Sequence, residues 1–402
     1  MVQELFNVKV PVHGRIWGEP EHTNLRQVVD SDWYTAGAWC AKFEAAIRDY
    51  LDVRHVALCN SGSSANLLAI SALELVPGDE VITTAVNFPT TVNPIIQAGA
   101  TPVFVDVKLP QMTVDVRQLD EAYSSRTRAV VLAHTLGYPF DLGPVQEFCK
   151  NHGLFLIEDM CDGLGSTYNG QLVGTFGDLA TLSFYPAHQI ATGEGGAVIS
   201  KRATMDKIVN SYRDWGRDCW CAPGKDNTCG TRFDGEYDHK YTYSHIGYHL
   251  AMTEFEGAIG VAQMEHLPEF VQKRQENHAF LLYYAEDLGL GEYFILPYEE
   301  PHVSVSWFGF AMICEDNVNR NDLCHYLDGA GVGNRPVFGG NLLRQPAYKD
   351  IKYRVIGDLP NSNIVHERAF WIGCWPGLEN SQLEYAMEII TAYVRRKGNI
   401  NG

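Results

Sequence analysis

The sequence predicts an α/β protein with a mostly parallel central sheet in a large domain, followed by a smaller C-terminal α+β domain. In the first half of the 402 residues, short apolar, β-branched runs alternate with helical patterns. This alternation is typical of a parallel sheet that helices cover on both faces. After a loop at 214–243 that is rich in Gly, Asp, Cys and Tyr, the rest of the chain mixes short strands and helices.

The predicted elements follow in chain order, with Gly and Pro at the joins. Helices are predicted at 65–75 and 144–151, and apolar periodicity resumes at 252–264 as a long helix. We therefore expect domains at 1–255, including the loop 214–243, and at 256–402. The strands are predicted at 55–58, 81–84, 102–107, 129–133, 154–157 and 179–184.

Composition and charge exclude several classes of partner. The net charge is −18, from 31 basic and 49 acidic residues, so neither nucleic acid nor an anionic membrane is expected as a partner. Residues 1–11 lack a signal-peptide pattern, and no run is long and apolar enough to span a bilayer. We expect a cytoplasmic protein, in which ten cysteines indicate metal binding or catalysis rather than disulfides.

A turn of small residues, with Gly62, Ser63 and Ser64 at its centre, lies between a predicted strand and a predicted helix. Small residues let the backbone approach an anion, and the N–H groups and dipole of the helix N-terminus hold its negative charge. A simple helix cap made by Ser or Asn explains the same residues equally well.

Two later motifs make the sequence more specific. Asp159 ends a strand, and the segment 183–188 leads to the glycine-rich turn 193–196. With the serine turn, these motifs resemble the DegT/DnrJ/StrS sugar aminotransferases, which have pyridoxal-phosphate fold type I. The resemblance runs through nearly the whole chain and includes 247–248 and 252–254, similar to the family's intersubunit segment. It implies a homodimer with a shared active site.

The resemblance implies roles for individual residues. Asp159 would pair with the pyridinium nitrogen of the cofactor, which keeps the ring an electron sink. Phe88 would stack on the cofactor face, and Ser183 would join the serine turn as a phosphate ligand. The alternatives are a strand-end turn residue for Asp159 and core packing for Phe88.

Two positions differ from many aminotransferases of the family. Asp162 stands where many carry glutamine, and it is expected near the ring oxygen of the cofactor. His249 stands where many carry asparagine in the segment that reaches the neighbouring subunit's phosphate. Both contacts are expectations from the resemblance alone.

His188 stands where the aminotransferases carry the lysine that binds the cofactor covalently. Imidazole forms no stable imine, yet it can act as a base near neutral pH. Histidine here resembles the 3-dehydratases of 3,6-dideoxysugar biosynthesis, which use pyridoxamine phosphate. The resemblance implies that the cofactor's amine forms a Schiff base with carbon 4 of a nucleotide-linked 4-keto-6-deoxyhexose. His188 would remove the proton that allows the 3-hydroxyl to leave. An aminotransferase, an inactive homologue, a scaffold and a cluster-binding regulator are the alternatives.

Four cysteines follow the pattern Cys-x57-Cys-x-Cys-x7-Cys: Cys161, Cys219, Cys221 and Cys229. The pattern resembles the iron–sulfur dehydrases that act on CDP-4-keto-6-deoxyglucose. It implies a [2Fe-2S] cluster and a separate NAD(P)H-dependent flavin/iron–sulfur reductase as electron donor. Four thiolates also suit zinc, and a dehydratase regenerated by glutamate needs no cluster. The nucleotide, the hexose and the pathway, whether lipopolysaccharide or a secreted product, stay open.

Overall fold

An eight-stranded sheet forms the centre of the computed structural model, which describes residues 9–219, 221, 227–228, 230, 235 and 237–398. The strand β11 (Gly196–Ser200) is antiparallel to both of its neighbours, and the other pairs are parallel. The mostly parallel sheet was predicted, whereas β11 was not. In sheet order the strands are β1 (His55–Cys59), β11 (Gly196–Ser200), β10 (Leu179–Ser183), β7 (Phe155–Asp159), β6 (Thr127–Ala133), β2 (Glu80–Thr84), β3 (Thr101–Val105) and β16 (Arg354–Val355).

Both faces of this sheet are covered. In β1, Val56 and Leu58 belong to one buried apolar cluster, whereas Ala57 and Cys59 belong to another. Successive side chains of a strand point to opposite faces, so the two clusters lie on opposite sides of the sheet. The helices before residue 254 are α1 (Glu19–Asp30), α2 (Ala38–Leu51), α3 (Gly62–Ser71), α4 (Pro89–Gln97), α5 (Leu119–Ala122), α6 (Leu142–His152) and α7 (Ala203–Arg213).

The long helix predicted from 252–264 is α8 (Glu254–Asp287), with 34 residues. Its start is fixed because the backbone N–H of Thr253 donates to Glu256 at 3.0 Å. The buried carboxylate of Glu254 accepts from the N–H groups of Gly37 and Cys40 at 2.8 and 2.9 Å. It thereby caps the N-terminus of α2 and ties the two helices together.

The C-terminal part contains a four-stranded antiparallel sheet. β16 comes from the same C-terminal stretch of sequence but pairs with β3 in the central sheet. The division near residue 255 stays a prediction. The sheet is β12 (Phe294–Ile295), β14 (Gly309–Cys314), β17 (Ala369–Gly373) and β15 (Asn334–Arg335), with α9 (Arg320–Gly329), α10 (Pro360–Arg368) and α11 (Asn380–Gly398).

Two small sheets complete the sheet structure of the described residues. They are β4 (Val107–Lys108) with β5 (Thr113–Val114), and β8 (Thr167–Tyr168) with β9 (Gln171–Leu172) and β13 (Val303–Ser304). Among the residues described, no helix has the length and apolar character that crossing a membrane requires.

Candidate active site

A cavity of about 520 Å³ opens at the carboxyl ends of the parallel strands. Open α/β sheets bind their ligands at this edge. The cavity brings together most of the residues that the sequence predicted for the site. The predicted residues that line it are Gly62, Ser63, Phe88, Asp159, Cys161, Asp162, Ser183 and His188.

The serine turn is both a helix cap and an open cradle. The N–H of Ser64 donates to Ser61 Oγ at 3.1 Å, and Ser64 Oγ donates to Asn60 Oδ1 at 2.6 Å. The Ser64 hydroxyl is therefore engaged in the turn. A Cβ on Gly62 would lie 2.5 Å from the Cβ of Ser183. Only glycine allows this approach. Gly62 and Ser63 line the cavity, so the start of α3 is accessible from it.

Asp159 is fixed at the end of β7 by three donors. Its Oδ2 accepts from Asn66 Nδ2 at 2.9 Å and from Thr91 Oγ1 at 2.6 Å, and its Oδ1 accepts from the N–H of Cys161 at 3.2 Å. Asn66 is oriented in turn by Thr181, whose hydroxyl donates to its Oδ1 at 2.8 Å. The carboxylate therefore has one orientation at the cavity wall.

His188 lies beside a buried carboxylate. Its Nδ1 is 3.4 Å from Asp162 Oδ1, and both side chains are mostly buried. Burial raises the pKa of Asp162, while His188 acts in the opposite direction. The ring of Phe308 lies 5.3 Å from that of His188, and buried Arg274 donates to the carbonyl oxygen of His188 at 3.0 Å. These contacts fix the imidazole at the cavity.

The mouth of the cavity carries aromatic and basic side chains. Phe88 is half exposed and meets Phe338 edge-on at 6.4 Å. His13, Tyr185 and Arg335 also line the cavity. Burial, followed by the charge of Arg335, lowers the pKa of His13. A guanidinium here makes the mouth suitable for an anionic ligand.

Sequence reasoning missed Asn66, Thr91, His13 and Arg335. Asn66 had a usable signal, because it lies four residues after Gly62 and so on the same face of α3. Thr91 lies in the first turn of α4. His13 and Arg335 belong to no motif of the sequence, and only the fold brings them to the cavity.

His249 lies outside the cavity of its own chain. Its imidazole stacks on the ring of Trp215 at 4.5 Å. Tyr243, Ile246 and Tyr248 near it are exposed, and Ile246 reaches 96%. Clustered exposed apolar side chains mark an interaction surface. The predicted contact between His249 and the cofactor phosphate of a neighbouring subunit stays a prediction.

The structure describes three of the four predicted cluster cysteines. The sulfur atoms of Cys219 and Cys221 and a ring nitrogen of His239 all lie within 4.8 Å of one another. Cys161 lies in the cavity wall and is not part of this group of described residues. Burial, followed by Asp159, raises the pKa of the Cys161 thiol well above its usual range. Cys229 lies outside the described residues.

One family model and two known proteins are similar to nearly the whole chain. The model of the DegT/DnrJ/EryC1/StrS aminotransferase family matches residues 16–391. The chain is 46% identical over 395 residues to the lipopolysaccharide biosynthesis protein RfbH of Salmonella typhimurium, covering 94% of this chain and 90% of that protein. It is 45% identical over 400 residues to the dTDP-4-dehydro-2,6-dideoxy-D-glucose 3-dehydratase of Saccharopolyspora spinosa, covering 95% and 86%.

A solved structure extends the comparison to the fold. The Escherichia coli GDP-4-keto-6-deoxy-D-mannose-3-dehydratase with bound hydrated PLP superposes with a TM-score of 0.87 at 28% identity. The match covers 95% of this chain and 99% of that one. Another structure of such a dehydratase, with a TM-score of 0.86, contains a trapped PLP–glutamate geminal diamine, and that match covers 95% of this chain and 100% of that one at 28% identity. The predicted fold class is therefore confirmed.

Proposed function

Because the chain belongs to the DegT/DnrJ/EryC1/StrS aminotransferase family, we propose that it is a pyridoxamine-phosphate-dependent 3-dehydratase. Its substrate is a nucleotide-linked 4-keto-6-deoxyhexose. One observation carries this proposal: His188 lines the cavity, and by its resemblance to the family it stands where the aminotransferases carry lysine. Imidazole cannot bind the cofactor as an imine, but it can take up and return a proton. Relatives named as nucleotide-sugar 3-dehydratases support the same activity.

The residues of the cavity fit pyridoxamine phosphate. Gly62, Ser63 and Ser183 line the cavity, so the start of α3 can accept a phosphate group there. Asp159 offers an oriented carboxylate for the ring nitrogen, and Phe88 offers an aromatic face for the ring. When bound, the protonated pyridine ring would serve as the electron sink that allows proton removal from the adjacent carbon.

His188 is the base in this proposal, and Asp162 orients it. The carboxylate at 3.4 Å from Nδ1 favours a proton on that nitrogen, so Nε2 is left to accept a proton from the reacting carbon. The same carboxylate stabilises the imidazolium that results. The hydrogen bond from Arg274 to the backbone carbonyl of His188 holds the histidine in this position.

We extend the proposal to a [2Fe-2S] cluster held by Cys161, Cys219, Cys221 and Cys229. Dehydration consumes no external electrons, but saturating the dehydrated product needs two. A separate NAD(P)H-dependent flavin/iron–sulfur reductase would deliver them one at a time through the cluster. The proximity of Cys219 to Cys221 and the place of Cys161 in the cavity wall support this route. Zinc would suit the same thiolates but carries no electrons.

A dehydratase regenerated by glutamate is the second candidate. The trapped PLP–glutamate compound in the solved relative favours it. The two candidates differ in one requirement, because only the first needs a cluster and a reductase. The cysteine pattern favours the first.

We further propose a CDP-linked substrate, a lipopolysaccharide pathway and a homodimer. CDP is favoured by the resemblance of the cysteine spacing, and CDP-4-keto-6-deoxyglucose is the substrate to try first. The name of the Salmonella relative favours lipopolysaccharide biosynthesis. A homodimer is supported by the exposed apolar side chains around His249.

Purification without air tests both parts of the proposal. We expect brown protein with about two irons and two acid-labile sulfides per chain. With pyridoxamine phosphate, substrate, reductase and NADH, the 3-deoxy sugar should accumulate. Stoichiometric zinc without sulfide would refute the cluster, and full turnover with glutamate alone would establish the second candidate.

A further inference from the structure

His239 lies in the loop 214–243, and the sequence assigned this histidine no role of its own. Its imidazole nitrogen and the sulfur atoms of Cys219 and Cys221 lie within 4.8 Å of one another, and all three side chains are partly buried. This arrangement brings one nitrogen donor to two soft thiol ligands.

Backbone hydrogen bonds build this arrangement from two separate segments. The N–H of Asp218 donates to the carbonyl of Thr242 at 2.9 Å, and Arg217 and Tyr243 form an antiparallel bridge. His239 begins a single 3₁₀ turn, which Asp238 caps by accepting from the N–H of residue 240 at 3.0 Å. The segment that precedes Cys219 and the segment that holds His239 are therefore fixed against each other.

An iron of a [2Fe-2S] cluster has four ligand positions, and two are filled by the bridging sulfides. If Cys219 and Cys221 fill the other two, His239 cannot bind that iron. A neutral imidazole still has one N–H to donate, and thiolate sulfur accepts such a bond. Hydrogen bonds to the sulfurs stabilise the extra negative charge of the reduced cluster, so they raise its reduction potential.

We propose that His239 donates a hydrogen bond to the thiolate of Cys219 or Cys221 and thereby raises the reduction potential of the cluster. This inference rests on the proposed function, because it requires the cluster. In this proposal His239 acts on the reaction only through the cluster, and the residues of the cofactor site carry out the chemistry.

The test compares four full-length proteins purified without air: wild type, His239→Ala, His239→Gln and His325→Ala. His325 is an exposed histidine of α9 and serves as the matched control. Iron and sulfide content are measured, and the midpoint potential is followed by electron paramagnetic resonance. His239→Ala should keep its iron while its reduction equilibrium constant falls about tenfold, which is about 59 mV for one electron. His239→Gln keeps an N–H donor and should recover part of the potential, and His325→Ala should match wild type.

Two results would overturn the inference while leaving the cluster intact. One is an unchanged potential in His239→Ala. The other is a directly bound nitrogen in pulsed resonance spectra of wild type, together with iron loss from both His239 variants. Absence of iron from wild type itself would instead refute the cluster, and the role of His239 would fall with it.

Discussion

Replacing Asp162 with asparagine should slow dehydration far more than it weakens cofactor binding. The amide keeps the size and polarity of the side chain but loses the charge beside His188. In the proposed reaction, the imidazole gains a positive charge when it takes the proton. Asp162→Asn therefore removes an interaction that is strongest after proton transfer.

The magnitude follows from the distance between the two groups. Two unit charges 3.4 Å apart attract by ~5 kcal/mol at an effective dielectric constant of about 20. Each 1.36 kcal/mol is worth about tenfold in rate. The burial that raises the pKa of Asp162 offsets part of this energy. We expect kcat to fall by about a hundredfold to ten-thousandfold, in the range of acid–base groups.

The pH dependence has a defined sign. Because burial raises the pKa of Asp162 in the folded protein, the folded state holds this proton more tightly than the unfolded chain. The resulting stability is present at low pH and is lost as pH rises through the raised pKa. Asp162→Asn apoprotein should therefore match wild type at low pH and melt at a higher temperature at pH above that pKa. Its rate profile should also lack the acid limb that protonation of Asp162 produces.

The assay is steady-state dehydration with pyridoxamine phosphate, combined with thermal unfolding of the apoprotein across pH. Asp206→Asn is the matched control, because burial also raises the pKa of Asp206 and His55 lies 3.9 Å from it, outside the cavity. The control should keep the wild-type kcat. A wild-type kcat in Asp162→Asn, or a drop in kcat that only follows lost stability, would refute the orienting role.

Three further predictions concern other parts of the site. His188→Asn should bind pyridoxamine phosphate but lose dehydration, and His188→Lys should let borohydride trap pyridoxal phosphate; dehydration at the wild-type rate by His188→Asn would place the base elsewhere. In Gly62→Ala the added Cβ would overlap Ser183, and this overpacking costs about 1–3 kcal/mol. The shift needed to relieve it should weaken cofactor binding in a fluorescence titration; unchanged affinity would argue against a phosphate site at the serine turn. Cys219→Ser should lose iron, keep exchange of the cofactor's aminomethyl proton with solvent and yield no 3-deoxy sugar; a product formed without iron would contradict electron delivery through the cluster.

Local patterns in the sequence predicted the central sheet well. Alternating strands and helices carry a periodicity that a single chain displays, so β1, β2, β6 and β7 lie within a few residues of their predictions. β11 was missed because it follows directly on a glycine-rich turn. Its place between β1 and β10 depends on pairing with distant segments, which local patterning does not encode.

In the site too, only the residues that belong to local motifs could be predicted from the sequence. Asp159, Ser183 and His188 could be found because each stands within a motif. The partners that orient Asp159, namely Asn66 and Thr91, come from two different helices. Arg335 reaches the cavity from β15 of the C-terminal sheet. Such contacts arise from the packing of distant segments, so no spacing in the sequence predicts them.

The most direct test of the central claim is the identity of the sugar product. Wild-type protein is incubated without air with pyridoxamine phosphate, CDP-4-keto-6-deoxyglucose, the reductase and NADH, and the sugar is analysed by mass spectrometry and NMR. Proton removal by His188 with loss of the 3-hydroxyl predicts a 3-deoxy sugar that retains its 4-keto group. A 4-amino sugar that retains its 3-hydroxyl would show transamination and would contradict the account.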